Sequence, residues 1–131
     1  MYMFTRMIVQ AALNRALGWD NDTRYRSHYP SDNFSSVISQ LIYDSFGGEI
    51  LKTHMKKGWH FYNRINGERF DFSASEMRKS MAGQSFEDIP SAPDEIQNYF
   101  EQEEYSSIFV RFIRAFEEAV GLKKYRSGFA A

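Results

Sequence analysis

The chain is 131 residues long, 43% hydrophobic and 17% aromatic, with 16 Lys+Arg against 17 Asp+Glu for a net charge of −1. That apolar content suffices for one packed domain over residues 1–131 and excludes disorder from low hydrophobicity, while the balanced charge offers no basic field for nucleic acid. Cysteine is absent, so disulfides, thiolate nucleophiles and Cys-ligated metal clusters are excluded, and the composition fits a reducing, cytoplasmic setting.

No apolar run approaches the roughly 18 residues of a membrane span. The opening segment lacks a basic start and is interrupted by Arg6 and Arg15, so it reads as a folded helix rather than a signal peptide. Its apolar side chains, Phe4, Met7, Ile8, Ala11, Ala12 and Ala16, recur near helical period over 4–17, and Gly18 is a C-terminal stop. Residues 19–32 are polar and turn-rich and read as a loop. The run Asp20-Asn21-Asp22 within it lacks the later glycine and distal glutamate of a calcium loop.

Val37, Ile38, Leu41 and Ile42 form the stripe of a buried helix over 35–45, with Ser31, Asp32 and Asn33 offering N-cap chemistry ahead of it. After Gly47-Gly48 the period changes from helix to strand. Three strands are predicted over about 49–55, 58–65 and 68–73, and Asn66-Gly67 makes the second turn a hairpin. A short helix is expected over 74–83. Residues 84–104 read as an acidic loop, with seven acids and no base between Glu87 and Glu104. A final helix spans 105–120, with Tyr105, Ile108, Phe109, Phe112, Ile113, Phe116, Ala119 and Val120 on one face and Gly121 as its stop. The expected fold class is α+β, with helices packed on a small antiparallel sheet.

The hairpin turn sets a register. A two-residue loop pairs Ile65 with Glu68, which places His60, Tyr62, Arg64, Arg69, Asp71 and Ser73 on one face of the sheet. His60 and Asp71 become diagonal neighbours, within reach of a hydrogen bond that orients an imidazole. A third group comes from the first turn of the 35–45 helix. There Ser35 and Ser36 sit where the helix dipole favours a developing anion. His28, His54 and His60 are too few and too irregularly spaced to compose a zinc site, and neither metal nor cofactor is expected.

The segments FGGEILKT (46–53) and WHFYNRINGERFDFSASEM (59–77) resemble the small bacterial YunG-like family. There the corresponding run is a Gly-Gln-Cys motif opening a helix, an Asp-Tyr-Phe-Gly-Gly-like helix end, a His-Tyr-Trp-Asn-like strand and an Asp-Leu-Thr-like strand. The resemblance covers about residues 30–78. It implies a papain-like or transglutaminase-like core, with the family's His at His60 and its Asp at Asp71. Counting back from Gly47-Gly48, the Gly-Gln-Cys motif falls on Asn33-Phe34-Ser35, so all three of its residues differ here.

That departure implies a non-catalytic binding or regulatory protein, a pseudoenzyme acting as inhibitor or adaptor on a degenerate scaffold. The alternative is a hydrolase or acyl transferase using Ser35, His60 and Asp71. The expected partner is another protein, without nucleic acid or membrane. The acidic Glu101, Glu103 and Glu104 are a candidate surface for a basic partner.

Overall fold

The structure, a computed structural model, describes residues 5–18, 34–55, 58–72 and 86–128. In chain order these form helix α1 (Arg6–Leu17), helix α2 (Ser35–Phe46), and strands β1 (Glu49–Met55), β2 (Gly58–Ile65), β3 (Glu68–Phe70) and β4 (Ile89–Ser91). Next come the one-turn helix α3 (Pro93–Ile96), a 3-10 turn (Gln97–Tyr99) and helix α4 (Gln102–Gly128). The fold class is α+β. The chain divides into two compact units, Met1–His28 with Ser106–Ala131, and Tyr29–Tyr105.

In the first unit, α1 buries Val9, Ala12, Leu13, Ala16 and Leu17, and α4 buries Ile108, Phe112, Ala115 and Phe116. Gly18 ends α1 in the left-handed conformation at φ 74°, where glycine carries no Cβ penalty. Arg111 Nε donates to the Ala16 carbonyl at 2.9 Å, satisfying an acceptor that the end of α1 leaves open. Gly121 does not stop α4, which continues to Gly128 and begins at Gln102 rather than 105. The position is exposed and a Cβ there would meet nothing within 4 Å. An interior glycine costs a helix only about 1 kcal/mol relative to Ala.

The second unit holds an antiparallel sheet of strand order β3-β2-β1-β4. The Asn66-Gly67 turn has φ of 52° and 80° at its two central residues, as a primed hairpin turn requires, and β2 pairs β3 with Ile65 opposite Glu68. β3 is shorter than expected. It ends at Phe70, and Ser73 lies outside the described residues, as do the 19–32 loop and the 74–83 helix. The segment read as an acidic loop supplies an unexpected edge strand. Ile89, Pro90 and Ser91 pair with Lys52, Leu51 and Ile50 of β1. Proline is tolerated there because an edge strand has one side without a ladder partner.

Gly48, between α2 and β1, has φ 82°, and a Cβ on it would lie 2.5 Å from the Arg64 carbonyl oxygen. Both facts require glycine. Helix α2 is buried on every side over its first two turns, from Ser35 to Ile42. A helix covered all round must satisfy its polar side chains internally. Ser39 does so by donating to the Ser35 carbonyl at 2.6 Å, while Asn63 Nδ2 of β2 donates to the Ser39 carbonyl at 3.0 Å. The same face of the sheet packs Ile50 and Phe61 against Ile96, with Tyr43, Trp59 and Phe100 around them.

Candidate functional site

β2 is an interior strand with both edges paired, and His60, Phe61, Tyr62 and Asn63 are all 1% exposed, so both its faces are covered here. Alternation then assigns these side chains to opposite faces. Asn63 points to α2; His60 and Tyr62 occupy the other face.

His60 Nε2 donates to Asp71 Oδ2 at 2.7 Å. A carboxylate accepts only, so in the neutral ring this bond fixes the proton on Nε2 and leaves a lone pair on Nδ1. Nδ1 is buried and has no hydrogen-bond partner among the described residues. The arrangement is that of an oriented imidazole whose second nitrogen is ready to accept a proton. Asp71 reaches His60 from just beyond the last rung of β3, as the hairpin register anticipates.

Ser35 is the first residue of α2, and its N-cap is Phe34, which caps with no side chain. The Ser31, Asp32 and Asn33 capping candidates lie outside the described residues. Ser35 is 3% exposed, and its Oγ accepts the Phe61 amide N–H at 3.2 Å. The cause lies in the short β3. Phe70 pairs with Asn63, so Phe61 lies past the end of that ladder and its amide needs another acceptor. The structure thus brings Ser35 to the peptide group next to His60, while no hydrogen bond joins Ser35 to the His60 ring.

A second cluster on the His60 face was not read from the sequence. Tyr62 Oη donates to Asp88 Oδ1 at 2.8 Å and accepts the Asp88 amide N–H at 2.8 Å. Arg69 grips the same carboxylate through Nε and Nη2 at 3.1 and 2.7 Å. The Arg69 hydrogen bond holds the Asp88 carboxyl below its ordinary range, and burial pushes the Tyr62 hydroxyl well up. Glu87, beside it, accepts from the His54 amide at 2.8 Å and lies 3.1 Å from His54 Nδ1. These bonds lower the Glu87 carboxyl, the amide bond most. The register already puts Tyr62 and Arg69 with His60. No local signal marks two acids from a distant acidic run as their partners.

Glu101 precedes α4, and Glu103 and Glu104 lie in its first turn, where acids complement the helix dipole. Glu101 and Glu103 are exposed and Glu104 is half-buried. His54 is exposed and its ring packs on Trp59 at 3.9 Å. Among the described residues no group of His, Asp and Glu is placed to hold a metal ion, and no helix is long and apolar enough to cross a membrane.

The family model described as YunG protein matches residues 6–117. A relative from Bacillus subtilis (strain 168), described as "Uncharacterized protein YunG", is 29% identical over 106 residues, covering 81% of this chain and 90% of its own. No solved structure matches the chain.

Proposed function

We propose, for a chain that belongs to the YunG protein family, a non-catalytic binding or regulatory role on a degenerate papain-like scaffold. The observation that carries this reading is the bond from the Phe61 amide to Ser35 Oγ. A serine acts as a nucleophile only when a base takes its proton. Here the hydroxyl is buried, engaged by a backbone amide and not bonded to His60. Phe34, preceding it, offers no side-chain donor to an oxyanion, and one such donor is typically worth about 10²–10³ in rate. The protein then acts through another protein, and the exposed Glu101 and Glu103 with Glu104 suit a basic partner.

A second reading, a hydrolase or acyl transferase using Ser35, His60 and Asp71, draws on the His60–Asp71 bond and the open Nδ1. A fluorophosphonate probe separates the two. The binding reading expects no labelling of the native protein. Labelling at Ser35 that His60→Ala abolishes replaces it with the enzymatic one.

A further inference from the structure

The His60 face is crossed by a tripeptide held almost entirely by side chains. Phe86, Glu87 and Asp88 precede β4, and the backbone ladder to β1 begins only at Ile89. Phe86 sets its ring edge-on to Tyr62 at 4.7 Å, under the Arg69 guanidinium at 4.5 Å. Glu87 N–H donates to Thr53 Oγ1 at 3.1 Å, and its carboxylate takes the His54 amide beyond the last rung of β4. Asp88 exchanges two hydrogen bonds with Tyr62 and accepts two from Arg69.

These anchors flank His60. Thr53 is its direct partner across the β1–β2 ladder, and Tyr62 is its neighbour on the same face of β2, with the two rings 6.1 Å apart. Asp88 adopts φ 55°, a conformation that disfavours any residue with a Cβ and persists only where surroundings enforce it. Phe86 and Asp88 are only half-buried and Glu87 is exposed. A strained segment with few buried apolar contacts and water-accessible polar bonds belongs to the low-stability end of a fold.

We infer that Phe86–Asp88 is a latch over His60, which opens without unfolding the sheet and so admits a ligand to Nδ1, the ring nitrogen with no partner among the described residues. With the latch closed, the imidazole is 1% exposed. Opening breaks the Tyr62, Arg69, Thr53 and His54 contacts and relieves the Asp88 conformation, while the β1–β2 pairing stays intact. The inference holds whether the His60–Asp71 pair catalyses or only binds.

Carbethoxylation of the histidines by diethylpyrocarbonate, resolved by peptide mass, tests it on the full chain. In Phe86→Ala/Asp88→Ala, His60 should react about tenfold faster or more than in the parent under identical reagent conditions. A folded variant whose His60 stays as protected as the parent's overturns the latch. The parent supplies a second measurement that needs no variant. Below the unfolding transition, the His60 rate should depend only weakly on urea, because local opening exposes little surface. A urea dependence as steep as that of global unfolding overturns the inference, even if the double variant fails to fold.

Discussion

Asp71 accepts the Nε2 proton of His60 at 2.7 Å although it lies outside β3, one residue beyond Phe70. The strand ends and the carboxylate turns to the ring rather than continuing the ladder. The bond serves structure before any chemistry, because a 1% exposed imidazole cannot borrow water as a partner. It also decides which nitrogen faces the rest of the site: Nδ1, the one with no partner among the described residues.

Asp71→Ala therefore takes from the buried ring the one bond that the described residues give it. The expected loss is about 1–3 kcal/mol, the penalty for stranding a buried polar group. Asp71→Asn keeps an acceptor and should lose less. Urea unfolding of the three proteins checks the order. An alanine variant as stable as the parent shows that another group already satisfies the ring.

Phe112 is fully buried on α4 and stacks on Phe116 with ring centroids 5.8 Å apart. Phe112→Ala is expected to destabilise by about 3–5 kcal/mol, the range for emptying a core phenylalanine. The exposed Val110, two residues away, serves as the contrast. Val110→Ala should change stability by no more than about 0.5 kcal/mol. Denaturant midpoints at constant slope measure both.

The parts of the fold legible in the sequence are those with a local cause. The Asn66-Gly67 turn carries its own backbone requirement, so the register and the His60–Asp71 pairing follow from it. The 35–45 stripe and Gly18 likewise mark α2 and the end of α1 within one residue. β4 has no such cause. Three residues including a proline, set among acids, become a strand only because β1 offers an edge to Ile89 and Ser91. Gly121 misleads for the complementary reason, since a glycine terminates a helix only where the backbone turns left-handed, and this one does not. The Ser35–Phe61 bond depends on where β3 stops, which no pattern in residues 68–72 announces.

Acid should act on the Asp88 cluster. Arg69 holds the Asp88 carboxyl below its ordinary range, so folding favours the ionised form. The sign follows by linkage: the contribution is complete above the unfolded carboxylate value of about 4 and disappears as pH falls through the lower folded value. Glu87, lowered chiefly by the His54 amide, adds in the same direction. At the other extreme, burial raises the Tyr62 hydroxyl, so stability declines as pH rises past the unfolded tyrosine value of about 10. Asp88→Asn should flatten the acid limb of a stability–pH curve. An acid limb unchanged by that substitution places the acid-sensitive contact elsewhere.

Ser35 is where stability and activity separate. Ser35→Ala removes the acceptor of the buried Phe61 amide and is expected to cost about 1–3 kcal/mol in urea unfolding. No change in stability would show that the amide finds another partner. Ser35→Cys asks a different question. A thiol at the start of α2 gains from the helix N-terminus, and from an imidazolium where one is near. On the non-catalytic reading the site has lost more than its nucleophile, because Ser35 is not bonded to His60 and Phe34 supplies no donor. The thiol of Ser35→Cys should then alkylate with a pKa set by the helix N-terminus and burial, which His60→Ala leaves in place. A pKa in Ser35→Cys that rises by about a unit or more on adding His60→Ala identifies His60 as a working base and shows that the scaffold lost the nucleophile alone.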